Sequence, residues 1–293
     1  MKKETWTTRI IFALFRIIPP GVRKIVFKAL MMLFYQFSGE HRLIVLNNLA
    51  RSFPEKDMTE LTRIARDCYR NLGIVVAEFF DIISMTRENV SDWLEFEGRD
   101  AYLKAREKNR GILFFTGHFG NWEIAAAAFA LLCQPINIIY RSLDDPVLGG
   151  IVDKVRSHTG NKLIPKGGAA RKIIRLLAEN ESIGILVDQN VSWREGVFVD
   201  FFGRPASTTK GLAALALQTG APVLPGFIFR MKNGRYRLVI GPEVEISRTG
   251  DYERDIFENT QRFTKIVEYN VRKYPEQWFW LHQRWKTKMS QVR

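Results

Sequence analysis

The sequence predicts an α/β fold, a single domain with one mixed sheet, preceded by a helical segment. Short runs rich in β-branched and aromatic residues recur from residue 112 onwards, at residues 112–115, 136–140, 183–187, 223–229 and 236–240. Helical stretches such as NWEIAAAAFALL, RKIIRLLAEN and KGLAALALQTG separate them. Strands that alternate with helices of about ten residues build a sheet with crossover connections. No Gly/Ser linker divides the region, so one domain is expected.

The N-terminal region holds two strongly apolar runs, residues 9–18 and 21–37, on either side of Pro19-Pro20. Neither run reaches the roughly 20 uninterrupted apolar residues of a spanning helix. Both contain cations, namely Arg9, Arg16, Arg23, Lys24 and Lys28. We therefore expect residues 1–38 to form membrane-anchoring helices that lie at the lipid interface, in front of a catalytic domain over residues 39–293. A single tilted span or a pair of ordinary core helices stays open.

Residues 40–92 have helical periodicity, with a break at Pro54, and a long helix is predicted from about Tyr252 to Lys273. The net charge of +13 calls for an anionic partner, which could be a membrane, an acidic protein or a nucleic acid. The basic residues are dispersed and form no RNA- or DNA-binding motif, so no nucleic-acid partner is expected. Cys68 and Cys133 form no metal-binding spacing and are expected to be reduced thiols.

The stretch ILFFTGHFGNWE, residues 112–123, carries the most specific chemical signal. An apolar strand ends here and delivers His118 just beyond its carboxyl end, where ligand sites form in open α/β sheets. Gly120 permits a tight turn, and Asn121 is a plausible N-cap of the helix that follows.

Glu123 follows His118 by five residues, which on a continuous helix would place the two side chains about 140° apart. The glycine turn would let the chain fold back, so that Glu123 fixes the imidazole tautomer while His118 takes a proton from a substrate hydroxyl. The turn contains no serine or cysteine, which favours direct attack by the substrate hydroxyl. A histidine bonded to a backbone carbonyl is the structural alternative. A metal site would need a third ligand at helical spacing.

The motif GHFGNWE resembles the signature of the bacterial lipid A late acyltransferases, in the lysophospholipid and glycerol-phosphate acyltransferase superfamily. Further blocks occur in the family's order along nearly the whole chain. They are the stretch with Asn48, Leu49, Phe53, Pro54 and Glu55, then IYR at 139–141, DQN at 188–190, FFGRPAS at 201–207 and PEQWFWLHQRWKT at 275–287.

This resemblance implies a sheet of the glycerol-phosphate acyltransferase type and an inner-membrane enzyme whose active site faces the cytoplasm. It implies an acyl carrier protein thioester, or acyl-CoA, as the donor. The acceptor would be a hydroxyl of an anionic glycolipid, a lipid A precursor. Neither a cofactor nor a metal is implied. A lipid esterase or thioesterase, in which the same histidine activates water, is the rival interpretation, and another glycolipid or a lysophospholipid is the rival acceptor.

The resemblance also implies site residues. His118 and Glu123 correspond to the family's catalytic dyad. A functional arginine corresponds to Arg156, with Arg141 as the competitor, and a functional aspartate corresponds to Asp188. Arg156 could bind a phosphate or stabilise the thioester oxyanion. A solvated helix charge for Arg156 and a loop cap for Asp188 are the structural alternatives.

Arg156, Asp188 and Arg141 are expected to bind substrate, and the turn residues Gly120 and Asn121 are expected to contact it as well. Trp278 and Trp280 belong to an aromatic cluster near the C-terminus, for which core packing and a place at a lipid headgroup boundary are both open. His282 is expected to be structural.

Overall fold

The computed structural model describes Trp6, residues 12–13, residue 15 and residues 17–291. The helices in this part of the chain are α1 (Pro20–Phe37), α2 (Gly39–Ser52), α3 (Met58–Phe79), α4 (Val90–Trp93), α5 (Arg99–Arg106), α6 (Trp122–Leu132), α7 (Pro146–Ser157), α8 (Ala170–Ala178), α9 (Gly211–Thr219) and α10 (Tyr252–Lys273). The strands are β1 (Leu94–Glu97), β2 (Ile112–Thr116), β3 (Asn137–Tyr140), β4 (Lys162–Pro165), β5 (Ser182–Leu186), β6 (Gly196–Phe201), β7 (Arg204–Thr209), β8 (Val223–Arg230) and β9 (Tyr236–Ile240).

Seven strands form one mixed sheet in the order β1-β9-β8-β2-β5-β3-β4. The five strands from β8 to β4 run parallel, β9 is antiparallel to β8, and β1 is parallel to β9. Strands β6 and β7 form a separate antiparallel hairpin. The predicted α/β domain with a mixed sheet is confirmed.

Side chains of the central strand alternate between two apolar layers. Leu113 and Phe115 pack with residues of α8, α9 and α10, whereas Ile112 and Phe114 pack with residues of α6 on the other face. This period of two is the normal geometry of a strand that is buried on both faces. The sheet is therefore a rigid platform covered by helices on both sides.

The carboxyl ends of β2 and β5 lie side by side. The two strands are parallel, and Thr116 is the register partner of Leu186. His118 and Asp188 each follow their strand by two residues, so this register brings them to the same point at the edge of the sheet. The fold alone thus sets up the pairing described below.

Several short elements were not predicted from sequence: β1, β4 and the β6–β7 hairpin. Strands β1 and β4 have four residues each and contain exposed charged or polar positions. In contrast, α10 has the predicted bounds, and α2 and α3 lie on either side of Pro54 as expected. Strand and helix patterns are clearest in long elements with one continuous apolar face.

The second predicted N-terminal helix is confirmed as α1, with Pro20 at its first position. Half of the first predicted helix, including Arg9 and Arg16, lies outside the described residues. Within the described part of the chain, no helix combines the length and apolar character needed to cross a bilayer.

Candidate active site

A glycine-containing turn connects β2 to α6 and carries His118. Gly120 has a φ of +59°, and a Cβ atom at this position would lie 2.0 Å from the carbonyl oxygen of Ile228. Only glycine fits there without a shift of the backbone. Asn121 then caps α6 as predicted, since its side-chain oxygen accepts a hydrogen bond from the Ile124 N–H at 3.2 Å.

The C-terminal segment, residues 275–287, runs along this turn. The Gly120 N–H donates to the Gln277 carbonyl at 2.8 Å, and the Phe279 N–H donates to the His118 carbonyl at 3.0 Å. Phe119 and Trp278 form an antiparallel bridge between the two segments. The backbone polar groups of the buried turn are thus satisfied by a part of the chain far away in sequence.

The imidazole of His118 is held by Asp188. Its Nδ1 lies 2.8 Å from Asp188 Oδ1, and the backbone N–H of His118 donates to Oδ2 at 2.7 Å. The indole N–H of Trp278 also donates to Oδ2, at 2.7 Å. Burial alone would raise the pKa of Asp188, but the His118 ring and these two N–H donors outweigh it and lower the pKa to about 2.

An ionised carboxylate on Nδ1 fixes the neutral tautomer that carries its proton on Nδ1, which leaves the lone pair on Nε2. The His118 side chain is 20% exposed, and the side-chain amide nitrogen of Gln189 lies 3.4 Å from Nε2. The ring of Trp122 flanks the imidazole, with the two centroids 5.2 Å apart. Nε2 is therefore the nitrogen that can take a proton from a bound hydroxyl.

The contact expected between Glu123 and the imidazole is corrected by the structure. Glu123 lies in the first turn of α6 and accepts two hydrogen bonds from Arg156, from Nε at 2.9 Å and from Nη2 at 2.5 Å. The Trp122 indole also donates to it, at 3.0 Å. The carboxylate that orients His118 is that of Asp188, which sequence reasoning had placed among the substrate-binding residues.

The two candidate arginines lie in different environments. The Arg156 side chain is 20% exposed and forms a bidentate pair with Glu123. The Arg141 side chain is 85% exposed, and the nearest carboxylate oxygen, from Asp144, lies 3.8 Å away. Of these two, Arg156 is the one that the fold brings to the site.

An apolar cavity lies between α6 and the sheet, and the Glu123–Arg156 pair is part of its lining. Its volume is about 90 Å³. Its lining residues include Thr116, Trp122, Phe129, Ile138, Gly184 and Gly226. Gly184 and Gly226 contribute to the space because they place no side chain on the sheet face below α6. Sequence reasoning could not locate this cavity, since its shape depends on which strand positions face α6.

Trp278 contacts the site in a way that the sequence did not predict. Trp278 and Trp280 are 2% and 0% exposed, so the core-packing interpretation of this cluster is confirmed. The indole N–H of Trp278 nevertheless reaches the Asp188 carboxylate. The PEQWFW block contained the signal, but its register against the His118 turn is visible only in three dimensions.

The fold and the site define a class: an α/β protein with a carboxylate-held histidine at the carboxyl edge of its sheet, next to an apolar cavity. Comparison with known proteins gives the particular family. Residues 2–287 match the family described as bacterial lipid A biosynthesis acyltransferase. The chain belongs to this family and is an acyltransferase, and the resemblance drawn from its motifs is confirmed.

Three relatives show the range of the similarity. The lipid A biosynthesis palmitoleoyltransferase of Escherichia coli (strain K12) is 27% identical over 254 residues, which is 86% of this chain and 81% of the relative. The lipid A biosynthesis lauroyltransferase of the same organism is 27% identical over 259 residues, 88% and 83% of the two chains. A phosphatidylinositol mannoside acyltransferase of Mycolicibacterium smegmatis is 26% identical over 220 residues, 74% and 70% of the two chains.

His282 supports the segment that follows β5. Its Nε2 accepts a hydrogen bond from the Asn190 N–H at 2.6 Å, two residues beyond Asp188. Burial lowers the pKa of His282 to about 4. The folded protein therefore favours the neutral ring, which is the form that can accept this bond.

This shift predicts a pH dependence of stability. Because the pKa of His282 is lower in the folded protein than in the unfolded chain, its contribution is complete above about pH 6.5 and is lost as the pH falls towards about 4. Between pH 7.5 and pH 5 we expect the free energy of unfolding to fall by about 2 kcal/mol more in the parent protein than in His282→Gln.

Chemical denaturation at the two pH values measures this difference. His158→Gln is the control, since His158 is exposed at the end of α7. The same pH dependence in His282→Gln and in the parent protein would contradict the assignment.

Proposed function

We propose that the protein transfers a fatty acyl chain from a thioester, carried by acyl carrier protein or CoA, to a hydroxyl of a lipid A precursor. The observation that carries this proposal is the Asp188-held imidazole of His118 beside an apolar cavity. Membership of a lipid A biosynthesis family supports the choice of acceptor. The lipid A acyltransferases among the relatives support it as well.

In the proposed reaction, Nε2 of His118 takes the proton of the acceptor hydroxyl while the hydroxyl oxygen attacks the thioester carbonyl carbon. The resulting tetrahedral intermediate then loses the sulfur by cleavage of its C–S bond. The imidazolium returns the proton from Nε2 to the departing thiolate. Asp188 stays ionised throughout and stabilises the imidazolium. The products are one ester and one free thiol.

Arg156 and Glu123 act together in this proposal. The Arg156 guanidinium lines the cavity, where it can stabilise the oxyanion of the intermediate or bind a phosphate of the acceptor. Glu123 holds it in place through two hydrogen bonds. Gly120 and Asn121 determine the conformation of the turn, so their effect on the substrate is indirect and depends on where they place His118.

The cavity is the proposed binding site of the acyl chain. Its lining is aromatic and aliphatic apart from the residues next to the site, as a long hydrocarbon requires. Because Trp122 lines the cavity and its ring also flanks His118, a chain bound there would present its thioester close to His118. The depth of the cavity would then limit the length of the chain.

We also propose that α1 lies on the cytoplasmic face of the inner membrane. One side of α1 exposes a continuous apolar stripe. Its members are Val22, Ile25, Val26, Leu30, Leu33, Phe34 and Phe37. Lys28 is on the same helix, and its long side chain can bring the ammonium to lipid phosphates. An apolar stripe with flanking cations is the pattern of a helix at a lipid interface.

An alternative acceptor is another glycolipid, which the similarity to a phosphatidylinositol mannoside acyltransferase favours. Hydrolysis is the alternative reaction, because the same imidazole can activate water. Both alternatives become outcomes of the following experiment.

We expect the purified protein, in detergent or lipid, to convert a radiolabelled lipid A precursor and acyl carrier protein thioesters into a product heavier by one acyl chain. His118→Ala should lower the rate by a factor on the order of 10² to 10⁴, since the base is lost. Asp188→Asn should have an effect of similar order because the tautomer is no longer fixed. Glu123→Gln should act in the same direction.

The control for Asp188→Asn is Asp144→Asn, which makes the same chemical change at a side chain that is 96% exposed. Normal turnover by a folded His118→Ala variant would contradict the mechanism. Release of free fatty acid without a lipid product would favour the esterase. A product with another glycolipid alone would change the acceptor.

The cavity makes a prediction about chain length. A Cβ atom added at Gly184 would lie 3.1 Å from Cδ1 of Ile136, so Gly184→Val reduces the space below α6. A valine side chain displaces two to three methylenes, each worth about 0.8 kcal/mol of burial, so the preference should move to shorter donors by roughly tenfold or more in kcat/KM.

A series of thioesters of increasing length measures this shift. Gly167→Val is the control, because nothing lies within 4 Å of a Cβ atom at that position. An unchanged profile in Gly184→Val, or an equal shift in both variants, would exclude the cavity as the acyl site.

The surface proposed for α1 makes a prediction about lipid binding. Ile25 is 64% exposed, so Ile25→Glu should leave the thermal unfolding midpoint unchanged. It should weaken binding to vesicles that contain anionic lipid by roughly tenfold or more, because a charge replaces an apolar side chain that would insert into the lipid. Phe257→Glu, at a 43% exposed position on α10, is the control. Equal losses in the two variants would contradict the orientation proposed for α1.

A further inference from the structure

A buried carboxylate outside the proposed chemistry connects four distant parts of the chain. Glu78, at the end of α3, has a side chain that is 1% exposed. Its Oε1 accepts from the Lys24 ammonium at 2.9 Å. Its Oε2 accepts from the Arg230 guanidinium at 2.7 Å, from the Asn121 side-chain amide at 3.0 Å and from the Tyr236 hydroxyl. Burial opposes ionisation, but Arg230, Tyr236 and Lys24 outweigh it and lower the pKa of Glu78.

Asn121 connects Glu78 to the candidate active site. It is fully buried, and its side chain is used at both ends. The amide nitrogen donates to Glu78, while the amide oxygen accepts from the Ile124 N–H at the start of α6. The first turn of α6 carries Glu123, and the residues just before it carry His118. Glu78 therefore stabilises the start of α6, on which the positions of the Glu123 and His118 side chains depend.

Lys24 connects the same carboxylate to α1. The helix turns its apolar stripe outwards, while its buried Arg23 pairs with Asp81 and its Lys24 pairs with Glu78. The surface proposed to contact lipid and the cation that contacts Glu78 thus belong to one rigid helix of 18 residues. A path of direct contacts leads from α1 through Glu78 and Asn121 to the start of α6.

We propose that Glu78 is a positioning residue of the transferase site, and that Lys24 makes α1 a part of that site. The inference rests on the proposed function. Without Lys24, the Glu78 carboxylate is free to turn towards Arg230, and its hydrogen bond to Asn121 loosens. Catalysis by a general base is sensitive to shifts of about 1 Å, so a loosened α6 lowers kcat. Removal of Lys24 should thus affect turnover, not lipid binding alone.

The test compares Lys24→Met with Lys28→Met in the full chain. Each variant removes one cation from α1 and keeps an unbranched side chain, so both lose the same electrostatic attraction to anionic lipid. Lys28, one turn further along, forms no ion pair with the described residues. We expect kcat to fall roughly tenfold in Lys24→Met alone, with KM and vesicle binding equal in the two variants. Lys24→Arg should restore kcat because it keeps the charge.

Amide hydrogen exchange at Ile124 provides a second readout that needs no turnover. This N–H is protected by Asn121, so it should exchange faster in Lys24→Met than in Lys28→Met. Equal kcat values and equal exchange in the two variants would overturn the proposal. A rise in KM alone would overturn it too. A parent protein that transfers no acyl chain would count against the proposed function, whereas the exchange comparison would still decide the coupling.

Discussion

The buried hydrogen bond between the Asp188 carboxylate and the His118 imidazole is the interaction on which the site depends. A carboxylate that is 3% exposed is costly to ionise unless several donors surround it. Here the donors come from the imidazole, from the His118 backbone and from the Trp278 indole. The first two donors belong to the β2 turn and the third to the C-terminal segment, while the carboxylate itself follows β5. If any of these parts moves, the carboxylate loses a partner that offsets its burial.

This dependence explains why the end of the chain is folded back against the centre of the sheet. The C-terminal segment pairs with the His118 turn on one side and receives support from α2 and α3 on the other. Asn48 donates to the carbonyl oxygens of Trp280 and His282, and the Cys68 thiol donates to the carbonyl of Trp278. Backbone groups in irregular buried segments need such partners. The helices in front of the sheet therefore stabilise the site through the C-terminal segment.

Sequence reasoning located the turn that carries His118 but misassigned the carboxylate that contacts the imidazole. An apolar strand followed by Gly117, His118 and Gly120 was enough to predict a histidine at the carboxyl edge, because local patterns determine that placement. The choice between Glu123 and Asp188 depends on which strand lies next to β2, and Asp188 is 70 residues away from His118. Pairing of that kind is set by the sheet order, which no local pattern contains. The cavity and the Glu78 contacts were missed for the same reason.

The two carboxylates therefore have different partners, and this separation has a physical basis. A carboxylate bound to an arginine is already neutralised, so it adds little to the basicity of a nearby imidazole. Asp188 has no arginine partner among the described residues, and its charge acts on His118. Glu123 is paired with Arg156, and it fixes a cation beside the cavity. In the proposed reaction, one carboxylate would support the base and the other would hold a positive charge for the substrate, an arrangement that suits removal of a proton while negative charge develops on a nearby oxygen.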